Sequence, residues 1–462
     1  MNPEGDLASH TSTAFGLRHW AMLCAVLSVT ACSRSTDRAR PGEPPQPVSP
    51  LLPTAKLPAA VVASEVWRFE LPAASDQSVA RIAGTLQLPG GDFLVAVEFT
   101  SSLTIKEGKR LQSRGEEDVA ILRLDNTGKL LDLHQLGGVD SDLVDGLLLW
   151  RDTPQLAIRT YGGLSVGGKP IVLPQTKSDD DSSGWLGVAI ELDLTGRPVR
   201  TIASRQVAWN VYAVGTPTKD TIISYYLPLS EPEQSRIESL LPDGTTRWTK
   251  ILPLAEASGV FPVDDLPLVA TRRNNQLSVI SFAPEDGTAR TIFSHKVGPM
   301  DDAGRIGAVI AADGALFIYG DTAGDALVKR DNGSTESNSL EPFVAVVRDG
   351  TPTVKHQLLD VIGNVIAAGV VRGHPVAIVD VIHATALSGG TSVPTPGAYL
   401  ISGYGPQTLV TPLSHKAGPD DVINPSFRTA LDPLRGDTAT LFGLCGENPD
   451  RYCVVGYRLA KK

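Results

Sequence analysis

A repeated β-strand pattern is the feature of this 462-residue sequence that most limits its fold. Residues 98–136 and 159–203 both contain Leu-(Thr/Ser)-(Ile/Val), a glycine turn, a polar loop, an apolar strand and then Asp-x-x-Gly-(Lys/Arg). The apolar residues recur with a period of two, which indicates strands rather than helices. The closing elements, 125–129 and 193–197, predict tight turns in which glycine takes a positive φ. The sequence therefore predicts an all-β protein built from one recurring unit.

A second signature marks the end of each unit. His134, His295 and His415 each begin a His-x-x-Gly-(Gly/Pro) segment that is followed by acidic residues, and His356 begins a degenerate copy. Sheet-edge strands of this kind are predicted near 66–71, 130–136, 199–205, 247–253, 290–297, 353–359 and 408–415. Repeat intervals of roughly 45 to 70 residues, each with four short strands, are typical of propeller blades.

The fold prediction is a seven-bladed β-propeller of four-stranded antiparallel blades, and its ends indicate how it closes. The last unit stops after its third strand, 452–459, while residues 66–72 resemble the outer-strand segment 247–253. An open ring would leave a sheet edge unpaired. We therefore predict that the N-terminal strand 65–71 is the outer strand of the last blade.

The first two units also resemble a known family. The pattern Gly-Asp-Phe-Leu-Val-Ala, then Asp-Val-Ala-Ile-Leu-Arg-Leu-Asp, then Gly-Lys, over residues 91–129, is similar to the seven-bladed β-propeller repeat proteins that bacteria secrete. This resemblance implies a fold and a surface location but no reaction.

The N-terminus contains a targeting pattern. A short apolar segment, 20–29, is followed by Val29-Thr30-Ala31-Cys32, which resembles the lipobox of bacterial lipoproteins. The resemblance implies that residues 1–31 are a lipoprotein signal peptide and that Cys32 is acylated and holds the protein on a membrane. Ser33 resembles an outer-membrane sorting signal, so the expected location is the periplasmic or cell-surface face of that membrane. The alternative is an ordinary secretory signal cleaved near Ala31.

A tether follows the acylated cysteine. The 32–61 segment contains seven prolines, which favour extended polyproline II because proline fixes φ and removes a hydrogen-bond donor: Pro41, Pro44, Pro45, Pro47, Pro50, Pro53 and Pro58. Residues 62–462 then form the propeller domain.

Charge and hydropathy exclude two broad classes of protein. The net charge of −10 is the wrong sign for a protein that binds nucleic acid through phosphate contacts. The sequence has no apolar run of about 18 residues, so it is not a multi-span membrane protein. We expect a monomer that binds no nucleic acid.

Two short motifs suggest chemistry but have simpler explanations. Gly163-Leu164-Ser165-Val166-Gly167 matches the G-x-S-x-G of hydrolases, but the repeat places Ser165 inside a hairpin strand instead of a strand-to-helix turn. Asp179, Asp180 and Asp181 offer oxygen ligands for Ca²⁺ but lack alternating spacing, so a solvated loop is the preferred interpretation. We expect no other cofactor.

Acidic residues recur after equivalent strands and are the candidate binding residues. They follow the outer-strand histidine segments and would surround one end of a propeller: Asp140, Asp142, Asp301, Asp302, Asp420 and Asp421. The alternative is that each carboxylate caps a turn or accepts neighbouring backbone N–H groups.

The cysteines agree with an oxidising compartment. Cys24 would be removed with the signal peptide and Cys32 would carry lipid, which leaves Cys445 and Cys453. These two flank a loop rich in turn residues, so they can lie on paired strands. We predict a disulfide between them.

The leading functional hypothesis is a membrane-anchored surface lipoprotein that acts as a non-catalytic scaffold for a protein or glycan partner. The alternative is an enzyme with a site at the central channel, such as a polysaccharide lyase or hydrolase, because propellers support both activities. A third possibility is an assembly or secretion factor with an acidic face.

Overall fold

Small antiparallel sheets follow one another along the chain in a computed structural model of the protein. The structure describes residues 61–461, apart from several connections between strands, of which the longest are 72–78, 172–184, 297–303, 384–396, 414–433 and 445–451. All described residues belong to one compact unit, Lys56–Lys462.

Five sheets have four strands each, and a strand that precedes them, β1 (Val61–Glu70), belongs to the last sheet. Sheet 1 contains β2 (Ala80–Gln87), β3 (Phe93–Thr104), β4 (Arg110–Leu124) and β5 (Leu130–Leu136). Sheet 2 contains β6 (Asp142–Trp150), β7 (Thr153–Tyr161), β10 (Trp185–Leu192) and β11 (Pro198–Gln206), with a small hairpin inserted, β8 (Leu164–Val166) and β9 (Lys169–Ile171). Sheet 3 contains β12 (Val211–Thr216), β13 (Lys219–Leu227), β14 (Gln234–Leu240) and β15 (Thr246–Pro253).

Sheets 4 and 5 repeat this order. Sheet 4 contains β16 (Ala255–Val263), β17 (Leu266–Arg273), β18 (Gln276–Phe282) and β19 (Ala289–Lys296). Sheet 5 contains β20 (Gly304–Ala312), β21 (Ala315–Ala323), β24 (Leu340–Arg348) and β25 (Thr351–Gln357), with a second small hairpin, β22 (Val328–Lys329) and β23 (Thr335–Glu336). A succession of such sheets is the architecture of a β-propeller.

The last two sheets differ from the others in strand number. Sheet 6 contains β26 (Ile362–Val371), β27 (His374–His383), β28 (Gly397–Ser402) and β29 (Leu409–Pro412), with the short β30 (Leu434–Arg435) added in parallel to β26. Sheet 7 has three strands in the described part of the chain, in the order β1, β32 (Tyr452–Lys461) and β31 (Thr438–Leu444). Strand β1 runs antiparallel to β32 from Val61 opposite Lys461 to Glu70 opposite Cys453.

Each of the seven segments predicted as a sheet-edge strand forms the outermost strand of its sheet. They correspond to β1, β5, β11, β15, β19, β25 and β29. The prediction of four strands in every blade is only partly met, since among the described residues five sheets have four strands, sheet 6 has five and sheet 7 has three. The irregular sheets flank 384–396 and 414–433, which lie outside the described residues.

Apolar side chains fill the space between consecutive sheets. Each of the six hydrophobic clusters contains residues from at least two neighbouring sheets. One cluster joins Trp67 and Phe69 of β1 to sheet 1, and another joins Tyr457 of β32 to sheet 6. The core therefore consists of layers between sheets, as sheet-on-sheet packing requires.

The first strand of five sheets contains a β-bulge at an equivalent place. The register shifts between Ile82 and Gly84, and the same shift follows in four other sheets at Val144/Gly146, Ala257/Gly259, Ile306/Ala308 and Val365/Ala367. A glycine or alanine follows every one of these bulges. At Gly84 an added Cβ would lie 3.5 Å from the Cβ of Leu147 on the next sheet. Small residues therefore accommodate the close approach of first strands.

The predicted Asp-x-x-Gly turns are confirmed. Gly128 and Gly196 have φ values of 80° and 85°. In the first turn, Asp125 Oδ1 accepts from the backbone nitrogen of Thr127 at 2.8 Å, and Asp193 repeats this contact with Thr195 at 2.8 Å. These hydrogen bonds hold the hairpins between the third and fourth strands.

Two tryptophans on outer strands pack against the outer turn of the following sheet. Trp67 of β1 lies against Gly128 in sheet 1, and Trp248 of β15 lies against Gly287 in sheet 4. An added Cβ at either glycine would come within 2.8 Å of the tryptophan ring. The resemblance between 66–72 and 247–253 thus reflects equivalent packing.

Candidate binding face

The strand order places several connections at one end of sheets 1 and 2. Successive strands are antiparallel, so the β3–β4 connection lies at the same end of sheet 1 as the exit from β5. That exit, residues 137–141, leads into β6, and the β7–β10 connection starts at the same end of sheet 2. Side chains from the β5–β6 connection and from the adjacent parts of β4, β7 and β10 can meet there.

Asp140 and Asp142 are the predicted binding residues that the structure describes. Asp140 lies in the β5–β6 connection and is half-buried, whereas Asp142 begins β6 and is fully buried. The other predicted residues lie outside the described part of the chain: Cys32, Asp179, Asp180, Asp181, Asp301, Asp302, Asp420, Asp421 and Cys445.

The carboxylate of Asp142 is only partly satisfied. Its Oδ2 accepts a hydrogen bond from the backbone nitrogen of Gly138 at 2.8 Å. Its Oδ1 makes no hydrogen bond of ordinary geometry among the described residues, although the Thr160 hydroxyl opposite it on β7 is close enough to lower the pKa of this carboxyl. Burial raises the pKa of Asp142 to about 7, and the negative charges of Asp118 and Asp140 add to that effect.

Asp118 is a third carboxylate at this end, and the sequence did not single it out. It is fully buried in the middle of β4, directly before the part of that strand that pairs with β5. There it accepts from Ser113 Oγ at 3.2 Å, from the backbone nitrogen of Arg114 at 3.3 Å and from Gln135 Nε2. The available signal was its position directly before the apolar run of β4. The alternative interpretation of the acids, that carboxylates accept backbone N–H groups, describes Asp118 and Oδ2 of Asp142.

Two glycines allow the carboxylates to pack against backbone. A Cβ at Gly137 would overlap the carboxylate of Asp118, and a Cβ at Gly162 would overlap Oδ2 of Asp140. Gly162 also has a φ of 86°, which side-chain-bearing residues rarely adopt. The connections are therefore held in close contact rather than separated by side chains.

Exposed apolar side chains lie beside these acids. Val139 is 69% exposed and Tyr161 is 42% exposed. The backbone nitrogen of Tyr161 donates to the carbonyl oxygen of Ser141 at 3.0 Å, which fixes its position next to the β5–β6 connection. The ring of Trp185 meets that of Tyr161 edge-on, with centroids 5.7 Å apart. Glu116 joins the group because Ser141 Oγ donates to its Oε2 at 3.1 Å.

We call the surface formed by Glu116, Val139, Asp140, Tyr161 and Trp185 the acidic–aromatic face. A buried ion pair supports it from below, since Arg159 Nε lies 2.9 Å from Asp145 Oδ2. The guanidinium of Arg159 also lies over the Trp185 ring, 5.6 Å from its centroid.

The recurring histidines have structural positions where they are described. Oγ1 of Thr195 on sheet 2 lies 3.4 Å from Nε2 of His134, and the ring of His295 lies 5.8 Å from that of Phe343 on sheet 5. Each of these histidines therefore contacts the following sheet. Ser165 lies in the small strand β8 and is exposed, so it is not at a nucleophile elbow.

Three findings concern the remaining predictions. Cys453 is buried and disulfide-bonded, while its predicted partner Cys445 lies outside the described residues, so the pairing stays a prediction. Within the part of the chain that the structure describes, no group of three or more acidic, histidine or cysteine side chains could hold a metal ion. The described residues also include no helix that is long and apolar enough to cross a membrane.

Comparisons with known proteins find only distant similarity in structure. No protein-family model matches the sequence, and no curated protein matches it. The phage phi92 endosialidase has 9% identity and a TM-score of 0.41 over 86% of this chain and 69% of that chain. The hemagglutinin-neuraminidase ectodomain of parainfluenza virus 5 has 10% identity and a TM-score of 0.35 over 72% and 84%, respectively.

A third similar structure is Sqt1 from Chaetomium thermophilum, with 12% identity and a TM-score of 0.36 over 77% of this chain and all of that one (100%). Similarities at this level carry no inference about activity. The propeller assignment is based on the sheet topology of the chain itself.

Proposed function

We propose that this protein is a membrane-anchored surface lipoprotein, whose closed seven-bladed propeller is a non-catalytic binding scaffold for a protein or glycan partner. The anchor is the lipid on Cys32, which the lipobox pattern supports, and Ser33 supports an outer-membrane location. The 32–61 tether separates the propeller from the membrane. The proposal has three parts, which are the ring, the binding face and the anchor.

The hydrophobic clusters support a closed ring of seven blades. They link sheet 1 to sheet 2, sheets 2, 3 and 4 to one another, sheet 4 to sheet 5, sheet 5 to sheet 6, sheet 6 to sheet 7, and sheet 7 to sheet 1. Seven sheets linked in a cycle correspond to seven blades, with sheet 7 as the blade that unites the two ends of the chain.

Strand β1 supports closure at that last blade. It pairs with β32 along its whole length, and Trp67 makes the same contact with sheet 1 that Trp248 makes with sheet 4. The contact between the outer strand of one blade and the outer turn of the next is thus the same in the middle of the chain and where the proposed ring closes.

The acidic–aromatic face is the observation that carries the binding function. Exposed Val139 and Tyr161 lie at the end of the sheets where the connections meet, next to half-buried Asp140. Contiguous exposed apolar patches that are rimmed by polar groups mark interaction sites. A propeller supports such a surface rigidly because strands on both sides anchor every connection.

The experiment that tests this function is photo-crosslinking in the native bacterium. The full chain would carry a photoreactive residue in place of Val139, with Leu194 at the opposite turns as the control position. We expect a discrete crosslinked partner from position 139 alone. Cys32→Ser should release the protein from the outer membrane and remove that crosslink. Equal crosslinking from both positions would contradict the binding face, and membrane retention of Cys32→Ser would contradict the anchor.

One observation favours the enzymatic alternative, a polysaccharide lyase or hydrolase. The pKa of Asp142, raised by burial to about 7, suits a general acid at neutral pH. However, Asp142 is fully buried, so a substrate would reach Asp140 first. Turnover of polysaccharides that is lost in Asp142→Asn would support this alternative.

A further inference from the structure

We propose that the acidic–aromatic face binds a positively charged peptide segment through its arginine or lysine side chains. This inference deepens the proposed scaffold function and depends on it, because it specifies the chemistry of the partner. It is argued from the charge of the face, its exposed ring and its fixed geometry.

The net charge of the face is negative, because its carboxylates outnumber the exposed guanidinium of Arg114, which lies two residues before Glu116 on β4. Glu116 is exposed and Asp140 is half-buried. The backbone of Glu117 forms a single β-bridge with that of Ser141, which brings β4 next to the β5–β6 connection. Asp118 adds a buried carboxylate directly beneath, and Asp142 adds a buried carboxyl group that is ionised in only part of the molecules at neutral pH. The nearest buried cation, Arg159, is already paired with Asp145 and does not offset this charge. A cationic partner is therefore attracted both during approach and in the bound state.

The exposed ring adds a contact that favours cations over other polar groups. Tyr161 is 42% exposed, and its ring meets Trp185 edge-on, so part of the tyrosine ring surface remains open to solvent. The other aromatic partner, Trp185, is already covered by the guanidinium of Arg159. That contact shows the same side-chain chemistry, a guanidinium over an aromatic ring, within this site.

The geometry of the face is fixed before a ligand binds. Gly162 packs against Oδ2 of Asp140, and the backbone of Tyr161 is hydrogen-bonded to that of Ser141. A site held in this way loses little conformational freedom on binding, so more of its interaction energy appears as affinity. A side chain with an extended apolar stem, such as arginine or lysine, can lie along Val139 while its charged end reaches Asp140.

A neutral glycan uses this surface less completely. Sugars stack on aromatic rings, and Tyr161 offers one such ring, but the accessible carboxylates of Glu116 and Asp140 have no countercharge to meet on a neutral sugar. The clustering of carboxylates therefore favours the peptide, and the glycan is an outcome of the test.

The test measures binding of two labelled peptides to the full chain by fluorescence anisotropy. The first peptide alternates glycine and arginine, and the second replaces each arginine by citrulline, which is isosteric and uncharged. We expect binding of the arginine peptide only, with affinity that falls as salt is raised. Asp140→Asn and Tyr161→Ser should each weaken binding by about tenfold, whereas Tyr161→Phe should retain it.

Matched controls separate a specific site from general attraction to an acidic protein. Glu285→Gln removes an exposed carboxylate and Leu194→Ser an exposed apolar side chain, both away from the face. We expect neither to weaken binding. Equal weakening by the controls, or equal binding of the citrulline peptide, would overturn the proposal. Melting curves for every variant establish that the fold is retained.

A labelled β-1,4-linked N-acetylglucosamine tetramer provides the glycan arm. If the tetramer binds, its binding is lost in Tyr161→Ser and the arginine peptide does not bind, the cationic-peptide inference is wrong and the scaffold function stands. If neither probe binds and position 139 still crosslinks to a partner in cells, the same conclusion holds. Loss of that crosslink as well would overturn the scaffold function itself.

Discussion

The carboxylate of Asp321 on β21 accepts a hydrogen bond from the backbone nitrogen of Val365 on β26, 2.7 Å away and on the next sheet. Its other oxygen pairs with Arg305 at 3.1 Å. Glu98 repeats this arrangement in sheet 1, where it pairs with Arg81 and accepts from the backbone nitrogen of Val144 at 2.6 Å.

The carboxylates of Glu98 and Asp321 bind equivalent positions on the first strand of the following sheet. Val144 and Val365 each lie directly before the β-bulge of a first strand. Asp321 and Glu98 lie opposite the arginine that precedes the bulge of their own sheet. A buried carboxylate thus joins two neighbouring sheets through a charge-assisted hydrogen bond.

Asp321→Ala should strongly destabilise the fold. It leaves the Val365 N–H unsatisfied, which costs about 1 to 3 kcal/mol of unfolding free energy, and it also breaks the ion pair with Arg305, whose side chain is 24% exposed. The measurement is denaturant unfolding at neutral pH. Asp132→Ala is the matched control, because Asp132 pairs with Arg123 at the surface and its loss should cost less than about 1 kcal/mol. Equal effects would show that the inter-sheet contact adds nothing.

Stability should fall as the pH rises from about 4 to about 7, because burial raises the pKa of Asp142 to about 7 and that of Asp380 to about 6. An acid whose pKa is higher in the folded state binds protons more tightly when folded. The contribution of such an acid to stability is therefore fully present below the pKa it has in the unfolded chain. It is lost as the pH rises through the pKa it has in the folded protein. Asp142→Asn should flatten the upper part of the pH profile in urea unfolding.

Two turn residues provide the opposite pH dependence as an internal comparison. The Thr245 and Thr288 hydroxyls lower the pKa of Asp243 and Asp286, respectively. These carboxylates stabilise the fold above their unfolded pKa, and that contribution is lost as the pH falls through the folded value. A profile with no fall in stability between pH about 4 and 7 would contradict the assignment for Asp142 and Asp380.

The repeat pattern predicted the strands well because strand periodicity and turn residues are local. Gly128 and Gly196 marked their turns, and the segment around Trp67 was matched to that around Trp248 from sequence alone. The inter-sheet contacts were not predictable in the same way. Glu98 and Asp321 differ in type and lie in apolar runs, and their partners are backbone groups, which leave no mark on the sequence.

The candidate site was predictable only in part for a related reason. The acids after each outer strand pointed to Asp140 and Asp142. Asp118 and Tyr161 reach the same place from other strands, and a contact between distant segments requires the sheet register. The single sequence contains no such register information for the binding face.

Gly162→Ala should disturb the acidic–aromatic face more than the same change elsewhere. A methyl group at Gly162 would overlap Oδ2 of Asp140 and would also strain a φ of 86°. Gly91→Ala is the control, since its φ is 88° but nothing lies within 4 Å of the added Cβ. The strain alone costs about 1 kcal/mol, so the excess loss of unfolding free energy in Gly162→Ala measures the contact with Asp140. Equal losses would show that Asp140 simply moves aside.

Trp67→Ala should destabilise the domain to a similar extent as Trp248→Ala, although one residue lies near the N-terminus and the other in the middle of the chain. Each is largely buried, and their rings lie 5.3 Å from Phe93 and 5.6 Å from Phe282, respectively. Loss of a buried tryptophan costs about 3 to 5 kcal/mol. Thermal unfolding of both variants is the measurement.

Deletion of residues 62–72 tests closure more severely. It removes β1 and so exposes the edge of β32 while opening the cluster that Trp67 and Phe69 share with sheet 1. We expect cooperative unfolding to be lost, because a ring held at every interface loses its mutual support when one interface opens. If the truncated chain melts as the full chain does, β1 is an appendage and the closed ring is wrong.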